Sequence, residues 1–300
     1  MTSEAASPSF RTGGLEVHQV VEAAAAPPLD IFRPTSFLPG LDPRELGRQR
    51  SALSPTSLDP ATNTLVLRLQ SHLVRIGSLT ILVDTCVGNH KERPGQPYWS
   101  ALDSPAFEAS LRAAGATFES IDVVLCTHLH VDHVGWNTRL EDGVWVPTFP
   151  NATYVFPAQD LDHHLPLARR SRGSLPWIDD SVEPILASDQ VVAAGPTSAL
   201  PGGTELVPAP GHTAGHAAYR LGHGATTILF AGDVVHSPLQ LALPDLAMRA
   251  DHDAELARRS RRRVLEMACE PGTVFCPAHF ASPALGRIEA TRDAFELVPC

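Results

Sequence analysis

Four times along the chain, a short apolar run leads to a histidine or an aspartate. The four residues are Asp84, His128, Asp233 and His279. Short apolar runs bounded by turn-forming residues are typical of buried strands. In layered α/β proteins, functional sites are built where such strands end. The pattern therefore predicts a fold of buried strands and helices that carries polar, metal-binding side chains at several strand ends.

The second of these places holds the densest group of such side chains. After the apolar run 121–126, residues 127–133 read THLHVDH, with three histidines and one aspartate within six residues. Imidazole nitrogen and carboxylate oxygen are ligands that zinc and similar divalent metals bind. The spacing H-x-H-x-D-H predicts a metal site and favours two adjacent ones. The alternative, a polar loop rich in histidine by chance, is disfavoured by the other strand-end residues and by the loop GHTAGH at 211–216.

The rest of the chain alternates between predicted strands and helices. Strands are predicted at 64–70, 79–83, 121–126, 152–156, 205–207, 217–221, 226–231 and 273–276. Helices are predicted from Ser104-Pro105 to Gly115, at 157–170 and at 254–269. Seven of the 27 prolines lie between Ala24 and Thr62, which predicts mostly irregular structure there. We therefore distinguish a Pro-rich segment, 1–62, from a main domain, 63–300. The segment is either a surface connection or a lid that forms a pocket wall.

Composition narrows the class of protein and of partner. With 300 residues, 43% of them hydrophobic, the chain can bury a substantial core. A net charge of −10 provides no basic face for nucleic acid. The five cysteines are odd in number and include no C-x-x-C pair, which favours a reducing compartment. No apolar run approaches the ~20 residues of a membrane helix, and the polar start shows no secretory signal. We expect a cytoplasmic protein with a small-molecule substrate and no nucleic-acid or membrane partner; a homodimer is left open.

Taken in order, the motifs resemble those of the metallo-β-lactamase superfamily of metallohydrolases. The matching elements are Asp84 at a strand end, H-x-H-x-D-H at 128–133, G-H-T-x-G-H at 211–216, Gly232-Asp233 and His279. They extend over most of the chain. The resemblance implies an α+β fold of four layers, the αββα sandwich, with residues 63–300 as its catalytic domain.

The resemblance also implies a dinuclear site that holds two divalent metal ions. One ion would be held by His128, His130 and His212, the second by Asp132, His133 and His279, and Asp233 would bridge the two. Zn²⁺ is the expected metal, with Mn²⁺, Fe²⁺ and Co²⁺ as alternatives. Asp132 and Asp233 are the predicted catalytic carboxylates and act with a metal-bound hydroxide, because metal binding lowers the pKa of water from ~15.7 towards ~7.

Further residues near the motifs are predicted to support the ligands or line the pocket. Asp84 and His216 are predicted to lie behind the ligands, since a ligating imidazole usually donates its other N–H to a carboxylate or carbonyl. Trp136, Asn137 and His236 are predicted pocket residues, with core packing as the alternative for Trp136.

Two other polar groups are interpreted as solvent-facing. His163-His164 lies in a polar predicted helix and is read as surface. The arginines between 258 and 263 are read as one basic, solvated helix face.

Within the superfamily, the chain is most similar to the lactonase and esterase-like branch, which includes quorum-quenching lactonases and organophosphate hydrolases. Residues 83–89 (VDTCVGN) and 132–137 (DHVGWN) carry this similarity. It implies that a metal-bridging hydroxide attacks the carbonyl of a small neutral ester or lactone. Hydrolysis of an organophosphate, thioester, β-lactam or aryl halide on the same site is the alternative.

Two alternatives come from other classes of function. One is an iron-dependent oxidoreductase or sulfur-handling enzyme, although the flavin-dependent di-iron members typically have a glutamate where this chain has His130. The other is a non-catalytic sensor, which the complete set of ligands argues against.

Overall fold

The structure of the protein is a computed structural model that describes residues 9–12, 14–23, 30–50, 53, 56–281 and 283–300. The strands within these ranges are β1 (Ser9–Thr12), β2 (Leu15–Ala23), β3 (Leu58–Asp59), β4 (Thr64–Leu65), β5 (Leu69–Ile76), β6 (Leu79–Val83), β7 (Val123–Leu125), β8 (Thr138–Glu141), β9 (Val144–Pro147), β10 (Thr153–Pro157), β11 (Val191–Ala194), β12 (Glu205–Pro208), β13 (Ala217–His223), β14 (Thr226–Gly232), β15 (Thr273–Pro277), β16 (Gly286–Ala290) and β17 (Phe295–Pro299). The α-helices are α1 (Pro34–Phe37), α2 (Pro43–Gln49), α3 (Ala106–Ala113), α4 (Val131–Val134), α5 (Ala158–Arg170), α6 (Pro176–Ser181), α7 (Glu183–Leu186), α8 (Leu239–Ala242) and α9 (Ala254–Ala268). None of the described helices combines the length and hydropathy that crossing a membrane requires.

The chain separates into two compact units. Unit 1 contains Met1–Ala23, Leu69–Phe156 and Leu161–Ala194, and unit 2 contains Ala24–Arg68, Pro157–Asp160 and Gly195–Cys300. These units are defined by packing. The predicted division into a Pro-rich segment, 1–62, and a catalytic domain, 63–300, concerns function, and it stays a prediction.

Unit 1 is built on a seven-stranded sheet in the order β1-β2-β5-β6-β7-β10-β11. Strands β6 and β10 both run parallel to β7, so the three strands end at the same edge. Asp84 directly follows β6, and His128 follows β7 by three residues. The edge therefore receives both side chains, as the apolar runs before them predict. Helix α3 contributes Phe107 and Leu111 to the buried core of this unit.

Unit 2 is built on a six-stranded sheet in the order β12-β13-β14-β15-β16-β17. Strand β14 is parallel to β15, and β13 runs antiparallel to both β12 and β14. Strands β12, β14 and β15 consequently end at one edge, where they deliver His212, Asp233 and His279. Helix α9 shares a buried core with this sheet through Val264 and Leu265.

The predicted strand 64–70 is divided in the structure. Its first part is β4, which pairs with β3, and its end is the start of β5. Leu65, Leu67 and Leu69, which alternate along this run, are all buried. Between the two strands, however, the backbone N–H of Val66 donates to the Ser57 carbonyl and that of Arg68 to the His279 carbonyl. The side-chain pattern is thus strand-like while the hydrogen-bond partners change along it.

The Pro-rich segment contains regular structure that its composition does not predict. Helices α1 and α2 begin at Pro34 and Pro43, a position where the missing N–H of proline has no intrahelical partner to lose. The Asp42 side chain caps α2 by accepting from the Arg44 N–H. The prediction of mostly irregular structure is therefore wrong at 34–37 and 43–49. Its parts at 24–29, 51–52 and 54–55 lie outside the described residues.

Close backbone packing joins the segment after α4 to the segment after Asp84. A Cβ atom at Gly135 would lie 1.8 Å from the carbonyl oxygen of Val87. Gly135 also donates its N–H to the Cys86 carbonyl at 2.8 Å. The site-bearing helix α4 is thus held against the Asp84 segment at a position where only glycine fits.

We predict that Gly135→Ala lowers the free energy of unfolding by about 3 kcal/mol or more, because a buried backbone must move to accept the methyl group. Gly47→Ala is the matched control, since Gly47 lies in α2 as Gly135 lies in the short 3-10 helix Gly135–Asn137, and no atom lies within 4 Å of the Cβ added at Gly47. It should be neutral or stabilising by up to about 1 kcal/mol. Urea unfolding of both variants measures the difference. Equal midpoints for Gly135→Ala and the wild type would contradict the packing argument.

The only lysine in the sequence, Lys91, is fully buried in unit 1. Its amine donates to the Thr138 hydroxyl at 2.8 Å, lies 3.6 Å from the Asp180 carboxylate and stands 3.7 Å from the centre of the Trp145 ring. Asp180 also accepts two hydrogen bonds from Arg93, at 2.6 and 3.0 Å. Burial lowers the pKa of Lys91 to about 7, and the charge of Asp180 opposes the shift only in part.

This pKa predicts how stability depends on pH. Between about pH 7 and the ordinary lysine value of 10.5, the unfolded chain binds the proton that the folded protein has lost, so the free energy of unfolding rises with pH. Lys91→Met removes this contribution. The free energy of unfolding of the wild type minus that of Lys91→Met should therefore increase by on the order of 2 kcal/mol between pH ~7.5 and ~9.5. Arg112→Met, which removes an exposed cation paired with Glu108, is the charge-matched control and should leave the difference flat. A flat curve for Lys91→Met would show that the buried amine is not neutralised.

Candidate metal centre

In unit 1, the Asp84 carboxylate organises the loop between β7 and α4. Its oxygens accept from the Thr127 N–H at 2.7 Å and from the Thr127 hydroxyl at 2.9 and 3.1 Å. One oxygen also lies 2.9 Å from Nδ1 of His133. The Thr127 hydroxyl is in turn 3.0 Å from Nδ1 of His128. Asp84 is itself buried and thus contacts His133 directly and His128 through Thr127.

The four predicted ligands of this loop come together in unit 1. The ring centre of His128 lies 4.7 Å from that of His130 and 4.1 Å from that of His133. Ligand atoms of His128 and His130 fall within 4.8 Å of one another, as do those of Asp132 and His133. His128 and His133 are buried, whereas His130 and Asp132 are partly exposed. Helix α4 starts directly after His130 and carries both Asp132 and His133 in its single turn.

In unit 2, three histidines converge on the Asp233 carboxylate. Nε2 of His212 and Nε2 of His236 lie 3.2 and 3.1 Å from one of its oxygens. Nε2 of His279 lies 3.1 Å from the other oxygen. Nδ1 of His279 is 3.0 Å from the Arg68 carbonyl, which directs Nε2 of that ring towards Asp233. Both oxygens of one buried carboxylate therefore face imidazole nitrogens from different strand ends.

The His212 ring lies between two carboxylates. Its Nδ1 is 2.9 Å from Asp251 while its Nε2 faces Asp233. Burial disfavours the charged ring, but the hydrogen bonds and charges of Asp233 and Asp251 outweigh it and raise the pKa of His212 to about 9. Sequence reasoning did not single out Asp251, since it follows no strand and belongs to no motif.

The loop that carries His212 and His216 is held by close backbone contacts. A Cβ at Gly211, where φ is +132°, would lie 2.1 Å from the Ala257 nitrogen of α9, and one at Gly215 would lie 2.1 Å from the Asp160 nitrogen. His216 is buried and accepts the Asp233 N–H through Nε2 at 2.9 Å. His216 thus lies behind Asp233 rather than at the converging nitrogens.

The predicted pocket residues divide between the two units. Trp136 stacks on Phe107 in the core of unit 1, with ring centres 4.9 Å apart, and donates its N–H to Glu22. Asn137 is fully buried in the same unit and accepts from the Thr85 hydroxyl at 3.0 Å. His236 contacts Asp233 in unit 2. A pocket role for these residues stays a prediction.

Glu22 is a second buried carboxylate that the sequence analysis did not single out. Its carboxylate is buried in unit 1 and accepts the N–H groups of Val87, Gly88 and Trp136 at 2.9, 3.0 and 2.6 Å. Burial raises the pKa of Glu22 against these three donors. The carboxylate thus links strand β2 to the segment after Asp84 and to Trp136, which lies just after α4.

Two solvent-facing interpretations are wrong in part. His164 is buried in unit 1, with its ring centre 6.4 Å from that of His130, so only His163 is partly exposed. Arg261 is fully buried, whereas the neighbouring arginines of α9 point outwards or lie at intermediate exposure. A helix repeats every 3.6 residues, and a run of arginines must therefore place one on the buried face.

The donor set fits divalent ions of the zinc type. It consists of imidazoles and carboxylates, and four of the rings have an oxygen partner at Nδ1, which leaves Nε2 as the nitrogen directed towards the other ligands. The rings with such partners are His128, His133, His212 and His279. The five cysteines are free thiols and belong to neither group.

Comparison with known proteins identifies relatives of the chain. The model of the metallo-beta-lactamase superfamily matches residues 68–279. A hydroxyacylglutathione hydrolase from Aeromonas salmonicida (strain A449) is 35% identical over 119 residues, which are 39% of this chain and 34% of that protein. A protein of the same name from Aeromonas hydrophila subsp. hydrophila is 33% identical over 138 residues, 45% of this chain and 42% of that protein. The chain thus matches about two fifths or less of the length of these curated relatives.

Solved structures of similar fold cover the whole chain. A hydrolase of the beta lactamase superfamily, AbOPH, has a TM-score of 0.80 at 20% identity and covers 100% of this chain and 99% of its own. AidC, a dizinc quorum-quenching lactonase, has a TM-score of 0.77 at 20% identity and covers 98% and 97%. At this identity the likeness concerns the fold alone. Together with the family match, it confirms the predicted fold class, and all of these relatives are hydrolases.

We predict that Asp84→Ala lowers the free energy of unfolding by about 3 kcal/mol or more even without metal, because it strands the Thr127 N–H and hydroxyl and Nδ1 of His133 in a buried site. Asp122→Ala is the control, since the Asp122 carboxylate accepts a single exposed N–H, from Thr80; its cost should stay near 1 kcal/mol. Urea unfolding in the presence of a chelator measures both. A cost for Asp84→Ala no larger than that of the control would rule out the organising role of Asp84.

Proposed function

Because the chain belongs to the metallo-beta-lactamase superfamily, we propose that it is a metal-dependent hydrolase acting on a small neutral ester or lactone. His128, His130 and His212 hold one divalent ion in this proposal. Asp132, His133 and His279 hold the second, and Asp233 bridges them. Zn²⁺ suits this set of imidazoles and carboxylates best.

One observation carries the proposal. In unit 2, Nε2 of His212 and Nε2 of His279 face different oxygens of Asp233, at 3.2 and 3.1 Å. A carboxylate with both oxygens presented in this way suits a bridging ligand between two cations. In unit 1, Nδ1 of His133 is already engaged by Asp84, which suits a ring that ligates through Nε2.

The bound ions would supply a nucleophilic water at neutral pH and stabilise negative charge on a carbonyl oxygen. The protein residues position these ions and the substrate. Asp84 and Thr127 keep the His128–His133 loop in place, and His216 holds the backbone of Asp233. The net charge of −10 favours a neutral substrate over an anionic one.

Part of the Pro-rich segment supports its proposed role as a pocket wall. In unit 2, the Phe37 ring lies 5.7 Å from the His236 ring in an edge-on arrangement, and the Phe37 carbonyl accepts the Arg249 N–H at 2.9 Å. His236 in turn contacts Asp233. Helix α1 would therefore place the Phe37 ring next to His236, which in turn contacts the proposed bridging ligand Asp233.

Thioester hydrolysis is the second candidate. It is favoured by the sequence match to proteins named hydroxyacylglutathione hydrolase, whose named substrate is a thioester. The same ligands would serve it, because a thioester also presents a carbonyl carbon to attack. Substrate comparison rather than ligand mutation separates the two candidates.

The test is a screen of lactones, aryl esters and thioesters with the metal-free and the Zn²⁺-loaded protein. We expect two ions per chain and turnover only in the loaded form, with kcat/KM highest on a lactone or ester. A preference for thioesters would favour the second candidate. No metal-dependent turnover on any of these substrates would remove both, and bound iron with visible absorption would favour an oxidoreductase.

The ligand assignment has its own test. His130→Ala and Asp233→Asn should each lower metal content and reduce kcat/KM by more than the about 10- to 100-fold that loss of an outer partner costs. His223→Ala, an exposed histidine of β13 outside every motif, is the control and should match the wild type. Full metal content and activity in both ligand variants would refute the assignment.

A further inference from the structure

Asp251 is a buried carboxylate that no motif explains. Its side chain is 1% exposed. One oxygen lies 2.9 Å from Nδ1 of His212, and the other accepts the Met248 N–H at 2.8 Å. The backbone that follows Asp251 is attached to the His212 loop, since His252 donates its N–H to the His212 carbonyl at 3.1 Å. Asp251 is therefore held in place by its own backbone as well as by its side-chain contacts.

A buried arginine stands behind Asp251. The Arg261 guanidinium, on α9, is 1% exposed and lies 3.7 Å from the Asp251 carboxylate. It donates to the Val234 carbonyl at 2.7 Å and to the carbonyls of Pro244 and Leu246 at 3.0 and 2.7 Å. Val234 directly follows Asp233. The same guanidinium thus fixes the backbone beside Asp233 and the loop that leads to Asp251.

Burial of a guanidinium is costly unless its donors are satisfied, and a well-packed apolar side chain often serves stability as well or better. The N–H groups of Arg261 are satisfied by three carbonyls, and its charge lies near a carboxylate. Lysine could not replace it, because a single ammonium cannot reproduce the forked geometry that reaches three carbonyls. The placement suits a role in positioning rather than in stability alone.

We infer that Asp251 and Arg261 are positioning residues that hold the His212 imidazole with Nδ1 towards Asp251 and Nε2 towards the metal. This inference rests on the proposed function. A carboxylate behind a ligating histidine fixes its tautomer and orientation and raises its basicity. Asp84 does the same for His133, which belongs to the other proposed ion. Asp251, by contrast, contacts a ligand of only one proposed ion, so loss of Asp251 weakens that ion and not the other.

The experiment is a Co²⁺ titration of the full chain, followed by the visible absorption of the bound metal and by competition with a chromophoric chelator. Asp251→Asn keeps the shape of the side chain. It should weaken one of the two ions by about 10- to 100-fold and change its absorption band, while the second ion keeps its affinity. Asp84→Asn should weaken both ions, because Asp84 holds the loop that carries ligands of each. In NMR of the Zn²⁺-loaded protein, the Nδ1–H resonance of His212 should shift in Asp251→Asn, because an amide oxygen is a weaker acceptor than a carboxylate; a purely structural role would not produce this shift.

Two controls separate positioning from general damage. Asp253→Asn alters an aspartate two residues away that caps α9 through the Leu256 N–H, and it should leave both ions unchanged because asparagine also caps helices. Arg261→Met should weaken the same ion as Asp251→Asn, whereas Arg262→Met, on the exposed side of the same helix, should not. If Arg261→Met does not fold, Asp251→Asn decides the question.

The outcomes distinguish this inference from the proposed function. A wild-type protein that binds no metal overturns both. A wild type that binds two ions, with Asp251→Asn binding both unchanged or losing both equally, overturns the inference and leaves the proposed function in place. Selective weakening of one ion in Asp251→Asn, with the second ion unchanged, supports the inference.

Discussion

The candidate site depends on hydrogen bonds made to Nδ1 of buried histidines. The two nitrogens of an imidazole point in different directions, so a partner at Nδ1 decides where Nε2 points. Asp84 provides this partner for His133 and Asp251 for His212, each at 2.9 Å. The partner of His279 is a backbone carbonyl. With these rings oriented, Nε2 of His212 and Nε2 of His279 face the Asp233 carboxylate in unit 2.

The partners can do this because they are themselves buried and fully engaged. A buried carboxylate is costly unless donors surround it. Asp84 has the Thr127 N–H and hydroxyl, and Asp251 has the Met248 N–H and the Arg261 guanidinium. Such density requires backbone segments to approach closely. Gly135 in unit 1, together with Gly211 and Gly215 in unit 2, makes that approach sterically feasible.

The strand-end histidines and aspartates were predictable from local pattern. Each follows an apolar run, and strands of parallel direction end at one edge, so Asp233 and His279 are brought together by the pairing of β14 with β15. The same reasoning failed for β2, because His18, Gln19 and Glu22 interrupt its apolar pattern although all three are buried. Their burial depends on partners far away in sequence, such as Trp136 for Glu22.

Asp251 and Arg261 mark the same limit within the site. Neither lies at a strand end, and Arg261 is one of several arginines in a run that reads as a solvated helix face. Its burial follows from the rotation of α9 against its sheet, and the sequence leaves that rotation ambiguous among neighbouring positions. The buried His164 is a further instance, since a polar helix hides which of its two histidines faces inwards.

By itself, the sequence determined the chemistry of the chain: which residues can bind metal, that they follow buried strands, and which family they resemble. Those properties are local, because they depend on residue type and on the spacing of apolar side chains. Only the tertiary structure decided which oxygen stands behind each imidazole and which arginine is buried. Those choices depend on distances between segments separated by tens of residues, and such distances are set by packing.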